Sequence, residues 1–235
     1  MHMMKNVNRK LFAAVLGGSL FAFAPAMADG LPAVSPYIEG QISRMHINDV
    51  DGTTSAAAGG FNAVVSGEAD YKSDIALGAE IGVRKIADTG FRVGASFTSF
   101  DAELEQVDLS GALSFNGVVI GTASGTVTAD QLEAAGVTLD NDVKAYSINT
   151  YYDFDFGKKF IPYFGLGIGL ADIENADDKE LMISGILGIN YMLSENLYAG
   201  ARAAYHRVNG PSDSFGISYD DISAYSVGAV MGFNF

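Results

Sequence analysis

From residue 75 to 84 the chain alternates between two faces. Ile75, Leu77, Ala79, Ile81 and Val83 fall on one, and Ala76, Gly78, Glu80, Gly82 and Arg84 on the other. Period-two alternation marks a β-strand whose two sides meet different surroundings. The pattern recurs in eight segments, about 36–48, 71–86, 90–105, 142–156, 160–174, 179–193, 196–209 and 220–235. Each can hold the ~9–11 residues that a tilted strand needs to cross a membrane. In a water-soluble sandwich the second face would be broadly polar. Here it is mostly glycine, alanine and serine with a few charges, which suits the crowded interior of a small barrel with its aliphatic face in lipid. The expected fold is all-β, an eight-stranded antiparallel up-and-down transmembrane β-barrel. Closure satisfies every backbone group inside lipid, and an even strand count leaves both termini on one side.

The connections alternate in length, as such barrels require. Short turns follow the second, fourth and sixth segments, and longer loops follow the first, third and seventh. The third outer connection, near 175–178, is short. The short side is expected to face the periplasm. The largest outer loop is the second, about 106–141. Within it Asn116-Gly117 suits a type I′ hairpin turn between two strand-like runs. Thr128-Ala-Asp-Gln131 resembles a capping box for a short helix ending at Gly136.

Residues 1–28 read as a secretory signal. Lys5, Arg9 and Lys10 form a positive start, an apolar run follows from Leu11 to Ala24, and Ala26-Met-Ala28 fits a small-x-small cleavage site, with Asp29 the expected mature start. The apolar run falls short of the ~20 residues of a spanning helix. No later segment reaches that length either, and the longest apolar stretches, 160–171 and 181–193, are rich in helix-disfavouring glycine. The barrel domain is therefore expected over 29–235.

Composition narrows the functional classes. The 235 residues contain no cysteine, which excludes disulfides, zinc–cysteine sites and cysteine nucleophiles. Lysine and arginine number 14 against 28 acids, a formal charge of -14, which argues against nucleic acid as a partner.

The run Asn149-Thr-Tyr-Tyr-Asp-Phe154, then Ile161-Pro-Tyr-Phe-Gly-Leu-Gly-Ile-Gly169, then Gly188-Ile-Asn-Tyr-Met-Leu-Ser194, with the closing Phe233 and Phe235, resembles the small outer-membrane β-barrel family of Gram-negative bacteria. That family includes opacity-type surface proteins and barrels like that of outer-membrane protein A. In the first half the resemblance rests on Pro36-Tyr37 and strand spacing. It implies insertion by the outer-membrane assembly machinery. It also implies a role as surface antigen, adhesin, envelope stabiliser or narrow channel, with lipids and lipopolysaccharide around the barrel and possible cell-surface ligands at the loops. Met231, Phe233 and Phe235 share one face of the last segment and resemble the terminal assembly signal, although Val230 stands where glycine is common.

Pro36-Tyr37 and Pro162-Tyr163 share a phase, and this fixes the inward face. Expected inside are Glu39, Gln41 and Ser43; Glu80 and Arg84; Arg92; Ser147, Asn149, Tyr151 and Asp153; Gly165, Gly167 and Gly169; and Arg202 and His206. Counting residues from the periplasmic turns places Glu39 near Arg84 and Arg92 near Asp153, with Glu80 and Arg202 meeting deeper. A charge buried unpaired costs several kcal/mol, so ion pairs are expected. The outcome is either a sealed plug or a gated path.

Catalysis has thin support. Ser43 lies on the opposite face from His46, and His206 has only Ser212, Asp213 and Ser214 in the next loop. Asp49-Val-Asp51-Gly52 is superficially like a calcium loop without its further ligands. The expectation is a non-enzymatic barrel with no cofactor and no bound metal. Acids at 101–108 and 172–180 would form a solvated rim. Phe91, Phe154, Phe156, Phe160 and Tyr191, with Tyr146 and Tyr205 at the other end, would form aromatic girdles.

Overall fold

The computed structural model describes residues 34–134, 141–174, 176, 178–211 and 218–235. The expected signal segment, with Ala26, Ala28 and Asp29, lies outside them, as do Gly136 and positions 212–214.

Eight long strands close into one antiparallel barrel: β1 (Ser35–Ile47), β4 (Asp74–Arg84), β5 (Phe91–Ala102), β8 (Asn141–Asp153), β9 (Phe160–Ile173), β10 (Glu180–Met192), β11 (Leu197–Val208) and β13 (Ile222–Asn234). Their order around the wall is β1-β13-β11-β10-β9-β8-β5-β4, so the chain runs up and down and the last strand closes on the first. Outward positions are aliphatic and exposed, as at Ile75, Ile81, Leu166, Leu187 and Val227. With the ladder closed, no wall strand leaves an unpaired edge toward lipid. Among the described residues no helix is long and apolar enough to cross a membrane.

The two long outer connections differ from the loops expected of them. Residues 106–141 were expected as a long outer loop carrying a hairpin at Asn116-Gly117 and a short helix; β6 (Leu104–Phe115), β7 (Val118–Thr128) and the short helix α1 (Ala129–Ala134) occupy most of that span, and the strands join a sheet that the loop reading did not contain. The first outer connection likewise holds β2 (Val50–Ala58) and β3 (Phe61–Tyr71). With β12 (Ser218–Tyr219) these strands form a second sheet ordered β12-β2-β3-β6-β7. The order repeats the wall sequence β13-β1-β4-β5, from which β12, β2, β3 and β6 extend. Each hairpin therefore carries the pairing of its own wall strands upward. The β6–β7 hairpin turns at Asn116 (φ 49°) and Gly117 (φ 83°), the left-handed pair that a type I′ turn demands. Thr128 donates its backbone N–H to the Gln131 side chain at 3.0 Å, half of a capping box at the start of α1. On the periplasmic side, the turn after β4 is a 3-10 turn, Ile86–Asp88.

Two layers fill the lumen. Toward the periplasm it is charged. Toward the outside it is apolar: Met45, Ile47, Val50, Ala102, Val143 and Ala224 pack together with Phe100, Tyr71 and Tyr219, beside Ala145, Ala171, Met182 and Val208.

Candidate functional site

The charged layer starts from register. Glu39 on β1 stands directly opposite Glu80 on β4. Two like charges in adjacent inward positions repel, so the pair needs cations from elsewhere, and two arginines supply them. Arg202 on β11 bonds Glu39 directly and lies 4.0 Å from Glu80. Arg92 on β5 lies 3.7 Å from Glu39 and 4.0 Å from Glu80. A third cation, Arg84, donates to Asp153 at 2.7 Å and to the Asn234 side chain at 2.9 Å. Asp153 also faces Arg92 at 3.4 Å. Three arginines thus balance three carboxylates.

Neutral groups complete the shell. Glu80 accepts from Tyr37, from Tyr151 at 2.5 Å and from Asn149 at 2.9 Å. Glu39 accepts from Tyr198 at 3.0 Å. Arg202 donates to Gln41 at 2.8 Å and to the Tyr163 hydroxyl at 3.1 Å. Asn149 reaches Ser96 at 2.9 Å. Arg92 is wholly buried, and its nitrogens have no close hydrogen-bond partner among the described residues. Its guanidinium instead lies over three tyrosine rings, with centroids at 4.0 Å for Tyr151, 4.8 Å for Tyr163 and 5.3 Å for Tyr37. Cation–π attraction and Coulomb attraction hold it there.

All eight interior residues singled out by the alternation (Glu39, Gln41, Glu80, Arg84, Arg92, Asn149, Asp153 and Arg202) lie in the lumen, but one expected pairing is wrong. Arg84 does not meet Glu39. It stands opposite Ser35, four positions further toward the periplasm, where Asp153 is the acid at its level. Three members were not among the expected interior residues: Tyr37 and Tyr163, which served only to set the phase, and Tyr198. Each tyrosine of the charged layer stands in register opposite a glycine: Tyr37 with Gly82, Tyr151 with Gly165, Tyr163 with Gly188 and Tyr198 with Gly232. A Cβ built on Gly188 would run into the Tyr163 ring. Of the three interior glycines expected on β9, Gly165 is the seat of the Tyr151 ring, while Gly167 lies against the Asn149 side chain and Gly169 against Ser147. Inward phase together with cross-strand glycine was the signal available.

Between this layer and the apolar one lies a cavity of about 100 Å³, with Gln41, Asn149 and Arg202 on one side and Met45, Val143 and Val208 on the other. The two histidines among the described residues each bond a serine, His46 with Ser73 at 2.9 Å and His206 with Ser184 at 2.8 Å. Asp49 and Asp51 do not form a calcium-type loop, because Asp51 lies within β2. Asp49 clusters instead with Glu68 and Asp70, their oxygens within 4.8 Å of one another. A hydrogen bond shared with Asp70 and repulsion from it push the Asp49 carboxyl above its ordinary range. Glu68 is raised too, chiefly by Asp51. Met231, Phe233 and Phe235 face outward, with the two phenylalanine rings 5.2 Å apart.

A closed up-and-down wall, aliphatic outside and charge-balanced within, defines a small outer-membrane barrel. The chain belongs to the family described as the outer membrane protein beta-barrel domain, which matches residues 12–235, and it resides in the outer membrane of a Gram-negative bacterium. No curated protein matches it. The solved structure of Neisserial surface protein A is similar, with 12% identity and a TM-score of 0.51 over 86% of this chain and 99% of that one. So is that of OprG from Pseudomonas aeruginosa, with 20% identity and a TM-score of 0.52 over 88% of this chain and 98% of that one. At these identities the likeness shows the fold alone.

Proposed function

We propose that the barrel is a sealed, non-enzymatic anchor whose working part is the sheet it holds outside the membrane, acting as a surface adhesin or antigen. The observation that carries this reading is the charge layer. Arg92, Glu39 and Glu80 are nearly inaccessible to solvent, and an eight-stranded barrel leaves an interior that side chains can fill. The apolar layer adds a second barrier, because a hydrophobic constriction resists wetting. Lipid and lipopolysaccharide surround the aliphatic wall, and the C-terminal aromatic face of Met231, Phe233 and Phe235 is the proposed contact for the assembly machinery. Residues 1–28 are proposed as the cleaved export signal.

The test is single-channel conductance in a planar bilayer, using protein whose gel mobility shifts on boiling. Folded barrels are expected to be electrically silent. Steady unitary steps would replace this reading with a narrow small-solute channel. Substituting Glu80 or Arg202 separates the two further, since a plug loses stability and a gate gains current. A third, weaker reading is a lipid-active outer-membrane enzyme, and against it His46→Ala and His206→Ala are expected to leave membrane lipid profiles unchanged.

A further inference from the structure

Among the described residues the outermost sheet ends in an edge that no strand covers. β7 pairs with β6 on one side, and on its other side no strand pairs with it among the described residues, the Thr128 N–H at its end bonding the Gln131 side chain. All its residues are exposed except the half-buried Val127. It carries no charge, no proline and no lysine, the devices that usually blunt such an edge. The neutrality is wider than the strand. Residues 52–67 and 109–129 contain no aspartate, glutamate, lysine, arginine or histidine. The acids Asp51, Glu68, Asp108 and Asp130 stop at the borders of these stretches, and Phe61 and Phe115 pair at the tip with ring centroids 4.7 Å apart.

Two features select the occupant. An open ladder edge cannot enter hydrocarbon without stranding its donors and acceptors, so a strand fits it better than a lipid surface. The sequence of β7 is also nearly palindromic about Ala123. Thr122 matches Ser124, Gly121 matches Gly125, Ile120 matches the β-branched Thr126, and Val119 matches Val127. In a two-fold contact residue i meets j while j meets i, so a palindromic strand places like on like in antiparallel register. The single bulge against β6, at Ile120, lies outside the central five residues. A second copy is the partner that meets this register, and the neutral edge is where two acidic chains can approach without repulsion.

We propose that β7 is a homophilic docking edge, joining two copies antiparallel about Ala123. The proposal rests on the display reading above. Its geometry fixes which copies meet. The sheet continues the barrel wall, so its normal lies near the membrane plane. The two-fold axis of an antiparallel pair is perpendicular to the sheet and so lies near that plane too. Such an axis turns the partner upside down, into a facing outer membrane. The contact would bridge cells rather than dimerise neighbours, and many weak pairs across two surfaces would add through avidity.

The experiment mixes two differently labelled populations of a Gram-negative host without adhesins of its own, each displaying the full chain, and counts mixed clumps. Display and folding are checked by surface proteolysis and by the gel shift on boiling. Wild type is expected to clump only with wild type. Ala123→Lys alone and Ala123→Asp alone each bring like charges together at the two-fold, and should cut mixed clumps by roughly tenfold or more, because the repulsion repeats at every pair. Mixing the Ala123→Lys population with the Ala123→Asp population should restore clumping. The proposal is overturned if displayed wild type does not clump, if either charged variant clumps as wild type does, if the mixture of the two variants fails to recover, or if wild type clumps equally with cells lacking the protein. Displayed barrels that are silent in the bilayer yet do not clump would remove the homophilic edge and leave the display reading standing. Steady conductance would remove the display reading itself.

Discussion

Replacing Arg92 with methionine tests the charge layer at its centre. The variant leaves Arg84 and Arg202 facing Glu39, Glu80 and Asp153, so one buried carboxylate loses its compensation. Removing one partner of a buried ion pair costs about 3–5 kcal/mol. The lost cation–π contacts with three tyrosines contribute on the order of 1–2 kcal/mol more. Methionine fills part of the volume and recovers some contact with the rings. A net loss of about 3–5 kcal/mol follows from these magnitudes. The chain has no tryptophan, so unfolding in urea is best followed by far-UV circular dichroism and by gel shift, in vesicles. The decisive comparison is the double variant Arg92→Met/Glu39→Gln. It leaves two balanced pairs, Arg84–Asp153 and Arg202–Glu80, while the amide introduced by Glu39→Gln retains an oxygen for Tyr198 and Arg202. It should be more stable than Arg92→Met alone by about 2 kcal/mol, a coupling of the size that contacting residues show. A cost below about 1 kcal/mol for Arg92→Met would refute the argument. So would a double variant whose loss equals the sum of the two singles.

Gly188→Ala should destabilise the barrel by about 1–3 kcal/mol, since the new methyl collides with the Tyr163 ring and the Ala201 carbonyl. Gly185→Ala, with nothing within 4 Å, should be neutral or slightly stabilising in the same urea titration. At the base of the outer sheet the raised Asp49 carboxyl sets a sign. The folded state holds that proton more tightly than the unfolded chain, so the local penalty present at neutral pH is relieved as pH falls through the folded value toward the ordinary carboxylate range, about pH 4. Amide exchange around residues 48–51, corrected for intrinsic rates, should therefore slow on acidification, and Asp49→Asn should abolish the trend. An unchanged profile in the variant would discount the Asp49–Asp70 contact. Deleting Phe235 should lower the yield of assembled barrel in cells while leaving the urea midpoint of protein refolded in vitro within about 1 kcal/mol of wild type; an unaltered cellular yield would remove its role as an assembly signal.

The wall was legible in the sequence because each wall strand reports two environments at once. Ile75 to Arg84 is enough to identify lipid on one side and a crowded lumen on the other, and the same phase places Glu39, Glu80, Arg92 and Arg202 inside. Contacts across the lumen were legible only in part: Arg92 does face Asp153 and Arg202 does approach Glu80, but the rest depend on stagger between strands, which no single strand encodes. Arg84 shows the error. Counting from the turn set it beside Glu39, whereas the register puts Glu80 there and drops Arg84 four positions lower. The outer sheet escaped for a different reason. β6 does alternate, with Val107, Leu109, Leu113 and Phe115 against Gln106, Asp108, Ser110 and Ser114, but both faces of β6 and β7 lie largely in solvent, so neither strand carries the two-environment signature of the wall, and Val118-Val119-Ile120 runs apolar without a break. Only the Asn116-Gly117 turn betrayed the hairpin.

That contrast bears on what the protein does. A wall strand is constrained twice, by lipid and by the lumen, and its composition can be explained without reference to any partner. β7 is constrained by neither, pairs among the described residues with no strand but β6, and still keeps eleven residues free of charge in a chain where acids outnumber lysine and arginine two to one. Solvent alone would favour charge on such an edge, since an uncharged one invites pairing with other strands. Its composition is therefore the part of the sequence that the barrel leaves unexplained, and a strand partner accounts for it.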